Sequence, residues 1–257
     1  MSSSRTGRYS EIGLDRLVRL AWLEQTARLV RAGADPTSIR STLRDIVQEQ
    51  LRSRNAEVRG SVDKTLTILQ KVWVAPAREL VAFRDDGIEL LAKVQPPQRL
   101  AVHWGMMMAT YPFWSYVSAT TGRLLRVQGT VVSAQVQRRL REQYGERETV
   151  SRRVRYLLRS FVDWRVLLET DTKGVFQQGP KLELSAAPLV AWLLEALLWS
   201  LPEHSMELAS ALGSPSLFPF EKPILRVDQL QPHAPRLLFA SLGFQQDLVS
   251  VRTLPSS

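Results

Sequence analysis

The sequence contains no cysteine and only three histidines in 257 residues. The missing cysteines exclude disulfide bonds, thiolate zinc sites and cysteine nucleophiles, and they are typical of a reducing compartment, so we expect a cytoplasmic location. His103, His204 and His233 lie far apart in the chain, with no carboxylate at the spacing of a metal site. The sequence therefore predicts neither a metal ion nor a cofactor.

Motifs of catalysis are also missing. The sequence has no glycine-rich phosphate loop before a helix, no Ser-His-Asp spacing and no cluster of acids and lysine typical of nucleases. Asp85 and Asp86 form the one adjacent pair of carboxylates, which we interpret as an acidic turn between helices. These absences favour a protein that is not an enzyme.

Long hydrophobic runs are missing as well. The most apolar stretch, Ala186 to Leu201, has about 16 residues and contains Glu195, whereas a membrane span needs roughly 20. We interpret it as a buried helix and expect no membrane association. Residues 1–9 are serine-rich and basic, without the apolar core of a signal peptide, and predict a flexible leader.

Basic residues are abundant and concentrated in the middle of the chain. The formal net charge is +9. Residues 120–165 contain eleven arginines and four acidic residues, whereas the chain from residue 170 onward contains six basic and eight acidic residues. This distribution indicates that a polyanionic partner faces the central part.

The first part of the chain, residues 10–110, has the periodicity of a helical domain. Apolar spacing predicts helices over 11–32, 37–51, 56–74, 78–93 and 98–108, with a break at Gly33 and Asp35-Pro36. The first three helices have the layout of a possible second helix-turn-helix, with Arg52, Arg54, Arg59 and Lys64 near its turn. An ordinary helical bundle with solvated arginines fits the same pattern.

An aromatic cluster, Tyr111 to Trp114, follows three consecutive methionines, Met106 to Met108. We interpret it as a junction of the hydrophobic core rather than as a ligand pocket. A central domain, residues 111–182, begins here with a helix over 115–127.

Two further helices and a hairpin complete this central domain. Apolar residues on one face predict helices over 133–144 and from Val150 to Val162, separated by Gly145 and a turn, with Thr149 as N-cap. Alternating residues then predict strands over 164–169 and 175–178, joined by a turn. Three helices followed by a hairpin predict a winged helix-turn-helix.

The polar face of the last helix predicts contacts with double-stranded DNA. Ser151, Arg152, Arg155 and Arg159 are expected to face the DNA, with Arg152 and Arg155 reaching base edges in the major groove. Arg138, Arg139 and Arg147 flank the turn and, with Lys173 in the wing, are expected to contact phosphates. An adaptor that uses the same fold for protein assembly is the alternative.

The sequence of the C-terminal region, residues 183–257, predicts a small α/β cap on the winged helix, and a partner-binding surface would use the same features. The pattern favours a helix over 189–201, strands over 224–230 and 248–254, and a helix over 235–242 closed by Gly243. The fold class is therefore expected to be mainly α.

Four segments carry a resemblance to a known family: Tyr111-Pro112-Phe113-Trp114, Leu140 to Val150, Val162-Asp163-Trp164 and Leu217-Phe218-Pro219-Phe220. They resemble the small DNA-binding subunit of BREX phage-defence systems, BrxA. The resemblance implies a helical protein with paired winged helix-turn-helix units that binds double-stranded DNA without catalysis. It also implies partners among other proteins of the defence cluster.

Overall fold

The computed structural model describes residues 3–52, 58–241, 243 and 247–252. These residues are mainly helical, with two small three-stranded antiparallel sheets. The α-helices are α1 Ser3–Ser10, α2 Leu20–Arg31, α3 Pro36–Arg52, α4 Val58–Leu69, α5 Val81–Lys93, α6 Arg99–Thr110, α7 Pro112–Gln128, α8 Ser133–Tyr144, α9 Glu148–Asp163, α10 Ala187–Trp199, α11 Leu208–Leu212 and α12 Val227–Leu230. The strands are β1 Thr130–Val132, β2 Leu167–Glu169, β3 Val175–Gln178, β4 Ser205–Glu207, β5 Leu237–Ser241 and β6 Asp247–Val251.

The helices of the described ranges do not reach the combination of length and apolar character that crossing a lipid bilayer requires. The apolar stretch at 186–201 forms α10, whose leucines are buried in the core. Its interpretation as a buried helix is therefore confirmed.

The described part of the N-terminal segment, for which the sequence predicts a flexible leader, forms a helix. Residues 3–10 form α1, and the Arg8 guanidinium donates a hydrogen bond to the carbonyl of Ala109 in α6. The Tyr9 hydroxyl lies 3.3 Å from Nε2 of His204. These two contacts connect α1 to α6 and to the residue that precedes β4.

The helix predicted over 11–32 begins only at Leu20, because the preceding residues serve a tertiary contact. The Val18 amide donates to Ser160 Oγ at 2.9 Å, and Trp164 Nε1 donates to the Val18 carbonyl at 3.0 Å. Leu14 has a left-handed backbone with φ of 65°. Val18 is thus hydrogen-bonded to α9 and to the residue at its end, and residues 11–19 form no helical turn.

The helix boundary at Gly33 and Asp35 is confirmed. Gly33 has φ of 74°, and its amide donates to the Val30 carbonyl. The carboxylate of Asp35 accepts hydrogen bonds from the amides of Thr37 and Ser38, both at 3.0 Å, and from the Ser38 hydroxyl at 2.5 Å. These bonds satisfy amides that the first turn of α3 leaves free, and they lower the pKa of Asp35.

Asp85 and Asp86 do not lie in a turn, so that interpretation was wrong. Both belong to α5, which continues through Gly87. A Cβ atom at Gly87 would lie 2.9 Å from the Trp192 ring, so the glycine allows α5 to approach α10 closely. Packing therefore explains a glycine that suggests a helix end in sequence.

The predicted core junction after the three methionines is confirmed. Met106, Met107, Met108, Phe113 and Trp114 are fully buried. The ring of Trp104 lies at the centre of an aromatic cluster, with ring centroids 5.2 Å from Trp114, 5.1 Å from Phe161, 5.9 Å from Trp164 and 5.4 Å from Phe218. This packing crosses the predicted boundaries after residues 110 and 182.

Two C-terminal predictions were wrong. Residues 224–230 form no strand, since α12 begins at Val227, and residues 237–241 form β5 rather than a helix. β6 confirms the last predicted strand and pairs with both β5 and β4. Leu237 of β5 is buried while Leu238 is exposed. In a strand of five residues this alternation is too short to be recognised from the sequence.

Candidate nucleic-acid interface

The predicted DNA-contacting residues lie on a framework of three helices and one sheet. Along the chain the order is α7, β1, α8, α9, β2 and β3, and β3 lies between β1 and β2 in the sheet. Val131 of β1 faces Phe176 of β3, which in turn faces Glu169 of β2. The sequence missed β1, because three residues are too few to show a strand period.

The turn of the β2–β3 hairpin lies beside the start of α8. The Ser133 amide donates to the Gly174 carbonyl at 2.8 Å, and Gly174 has φ of 81°. Lys173 precedes this glycine and is exposed. The hairpin therefore places Lys173 close to the N-terminus of α8.

Helix α9 has the two faces that its sequence predicts. Val150, Val154, Leu157, Leu158 and Phe161 are at most 1% exposed. Arg152, Arg155 and Arg159 are exposed and follow one another at three- and four-residue intervals. Residues at this spacing share one side of a helix, so we call these three arginines the basic face.

Ser151 does not belong to the basic face, which corrects its predicted position. Its side chain is buried, and its hydroxyl accepts a hydrogen bond from Arg141 Nη1 at 3.2 Å. Arg141 Nε also lies 2.9 Å from a carboxylate oxygen of Glu146. Arg141 thus connects α8, the turn and α9, and it uses Ser151 as an internal acceptor.

The turn between α8 and α9 depends on Gly145. Its φ of 95° and ψ of 152° lie in a region that only glycine adopts readily. The Gly145 amide donates to the Arg141 carbonyl at 2.7 Å, and the Arg147 amide donates to the Gly145 carbonyl at 2.8 Å. The extended Arg147 then occupies the N-cap position, rather than Thr149 as predicted.

Ion pairs engage two of the predicted DNA-contacting arginines. Arg155 Nη2 lies 2.9 Å from Glu148 Oε1, and Arg138 Nε lies 3.7 Å from Glu142 Oε1, all on exposed side chains. The remaining predicted cations are exposed and have no carboxylate partner within the described part of the chain; they are Arg139, Arg147, Arg152, Arg159 and Lys173. Charges that are not neutralised internally are free to bind phosphate.

The sequence assigned no role to Arg165, which the structure places at the end of α9. It is exposed and has φ of 58°. Its amide donates to the Val162 carbonyl at 2.9 Å, and the Val166 amide donates to the Phe161 carbonyl at 3.0 Å, which closes the helix as a Schellman motif. A glycine at this left-handed position would have indicated the end of α9 in the sequence, whereas an arginine does not.

The possible second helix-turn-helix is described only in part. Arg52 is exposed, and Lys64 Nζ lies 3.2 Å from a carboxylate oxygen of Asp15. Arg54 and the side chain of Arg59 lie outside the described residues. No strand occurs among the described residues between α2 and α6, so a hairpin does not follow these helices there.

Sequence spacing also missed a pair outside the interface, formed by a buried histidine and a partly exposed carboxylate. His103 Nε2 lies 2.7 Å from Glu24 Oε2, although 79 residues separate the two in sequence, and the Trp73 ring contacts the imidazole edge-on. Burial lowers the pKa of His103, against the opposite effect of Glu24, and the hydrogen bond to His103 lowers the pKa of Glu24. No group of three metal-ligating side chains occurs within the described ranges.

Comparisons with models of known protein families, with curated proteins and with solved structures found no match.

Proposed function

We propose that residues 112–178 form a winged helix-turn-helix that binds double-stranded DNA. The order of elements supports this proposal, since helix, strand, two helices and a hairpin follow one another, and β3 pairs with both β1 and β2. In this interpretation α9 is the recognition helix and the β2–β3 hairpin is the wing.

The observation that carries the proposal is the basic face of α9. Three exposed arginines share one side of a helix whose other side is buried, and only Arg155 among them has a carboxylate partner within the described residues. An α-helix fits the major groove of B-DNA with its exposed side toward the base edges. Arginine can bind guanine or phosphate through two parallel hydrogen bonds.

The two halves of the interface have different proposed roles. Arg152 and Arg155 lie in the N-terminal half of α9 and contact base edges. Arg138, Arg139 and Arg147 beside the turn, with Lys173 in the wing, contact phosphates and set the orientation of the protein. Ser151 has no proposed contact with DNA, because its hydroxyl faces Arg141.

We further propose that the protein acts without catalysis as a component of a BREX-like phage-defence system. The resemblance of four sequence segments to the BrxA family supports this placement. The same resemblance makes other proteins of a defence cluster its proposed partners.

A fluorescence-anisotropy titration of labelled duplex DNA tests the interface. We expect Arg152→Ala/Arg155→Ala to weaken binding at least about tenfold, since each good arginine–base contact is worth about 1–3 kcal/mol. Lys71→Ala/Arg78→Ala is the matched control, because it removes the same charge from exposed residues outside the framework. Ser151→Ala is expected to keep the wild-type affinity.

Circular dichroism establishes that each variant is folded. Equal losses in the Arg152/Arg155 variant and in the control would assign binding to net charge rather than to α9. If the wild-type protein binds no duplex at low salt, the adaptor alternative replaces DNA binding.

A further inference from the structure

A cavity of about 380 Å³ lies between α7, α10 and the segments 178–184 and 212–223. Pockets that hold small organic ligands have volumes of about 300–1,000 Å³. Protein interiors are otherwise close-packed, with few voids larger than a water molecule. A space of this size that opens to solvent has the capacity for a ligand.

The inner part of the cavity is apolar. Its lining includes Leu193 and Leu194 from α10 together with Leu212, Leu217, Phe218 and Phe220. The last four keep 5–8% of their surface exposed, whereas side chains in the centre of the aromatic cluster, such as Trp104, keep none. An aliphatic group placed here would remove this apolar surface from water, which favours binding.

The mouth of the cavity is basic. Arg126, Lys181 and Lys222 line it, with Glu221 as the one acidic lining residue. None of the three cations has a carboxylate within salt-bridge distance among the described residues, and Arg126 Nη2 donates to the Gly213 carbonyl at 2.6 Å. The excess positive charge favours an anionic group at the mouth.

Backbone hydrogen bonds hold the mouth in place. The Leu182 amide donates to the Pro219 carbonyl at 3.0 Å, and the Glu221 amide donates to the Leu182 carbonyl at 2.9 Å. Lys181 and Lys222 therefore flank a paired stretch of two chain segments. Such preorganisation reduces the entropy that a ligand loses by ordering its site.

We propose that this cavity binds an amphipathic monoanion, with an aliphatic body against α10 and a carboxylate between Arg126, Lys181 and Lys222. Gly129 and Gln178 also line the cavity, at the end of α7 and at the end of β3. The ligand would thus contact α7 and the last residue of β3, which belong to the framework that carries the basic face. The proposal does not depend on DNA binding.

Isothermal titration calorimetry with octanoate, compared with octan-1-ol, tests the proposal on the full chain. We expect saturable binding of octanoate that is at least tenfold tighter than that of the alcohol. Lys181→Gln/Lys222→Gln, which keeps Arg126, is expected to reduce this preference, and the matched control Lys71→Gln/Lys93→Gln to retain it. The substituted lysines are exposed, so these variants are expected to fold.

Leu125→Trp provides a test of location, because the half-buried Leu125 lines the cavity and a larger ring would occupy it. We expect this variant to bind neither compound. The proposal is overturned by absence of saturable octanoate binding, by equal affinity for the alcohol, by an unchanged preference in the lysine variant, or by full binding to folded Leu125→Trp.

Discussion

At the scale of single residues, the exposed ion pair between Glu148 and Arg155 limits the proposed interface. Glu148 lies in the first turn of α9, and its carboxylate is 2.9 Å from Arg155. A phosphate or a guanine that binds Arg155 has to replace this carboxylate. Glu148 also places a negative charge where DNA would approach.

We therefore expect Glu148→Gln to tighten DNA binding about two- to fivefold, the size of one exposed ion pair. Anisotropy titration at fixed salt measures the change. Glu89→Gln is the control, since it breaks a comparable exposed pair with Lys93 on α5. Weaker binding by Glu148→Gln would mean that Glu148 itself contributes a contact to DNA.

Ser151 shows how far residue-level prediction extends. The helical period correctly separates the buried residues of α9 from Arg152, Arg155 and Arg159. Ser151 lies at the edge between the two faces, where its burial depends on Arg141 of the neighbouring helix. Period alone carries no information about such a contact between helices.

At the scale of elements, the relative placement of α8 and α9 depends on the backbone of Gly145. An alanine there would have to adopt φ of 95° or change the path of the turn. Backbone in such sparsely populated regions costs about 1–3 kcal/mol. The hydrogen bonds of the Gly145 amide and carbonyl would change with it.

We expect Gly145→Ala to lower the free energy of unfolding by about 1–3 kcal/mol and to weaken DNA binding in the fraction that remains folded. Urea unfolding followed by tryptophan fluorescence gives the first quantity. Gly7→Ala is the control, since a Cβ there meets no atom within 4 Å. Unchanged stability of Gly145→Ala would show that the turn accommodates a side chain.

The elements also differ in how well their sequences predict them. Helix α8 and strand β3 have the bounds that the sequence predicts, because apolar period and flanking glycines agree there. The sequence predicted a helix where β5 lies and a strand where α12 lies. These elements have five and four residues, which are too few to show a period. β1 exists through pairing with β3, which its own three residues do not reveal.

At the scale of the whole molecule, the pair of His103 and Glu24 links stability to pH. Burial keeps the pKa of His103 below its ordinary value near 6.5. As pH falls through that ordinary value, the unfolded chain takes up a proton that the folded protein does not, so the free energy of unfolding decreases. The lowered pKa of Glu24 adds a further loss below its ordinary value of 4.5.

We expect the free energy of unfolding to decrease from pH 7.5 to pH 5.5 and this decrease to be smaller in His103→Gln. Urea unfolding at both pH values measures it. His233→Gln is the control, because His233 is exposed. Greater stability of the wild type at pH 5.5 would show that Glu24 keeps His103 protonated in the fold.

The aromatic cluster around Trp104 joins residues on both sides of the predicted domain boundaries. Its rings come from α6, α7, the end of α9 and the segment 218–220. The sequence identified Trp114 as part of a core junction, yet it could not show that Trp114 shares one core with Trp164 and Phe218. Only the fold brings residues more than a hundred positions apart into ring contact.

The dependence of duplex affinity on salt tests DNA binding by the basic framework most directly. If Arg138, Arg139, Arg147 and Lys173 each neutralise one phosphate, log K falls with log salt at a slope of about −3.5. Arg147→Ala/Lys173→Ala is then expected to make the slope shallower by about 2. A slope near zero, or one that this folded variant leaves unchanged, would contradict the proposed interface.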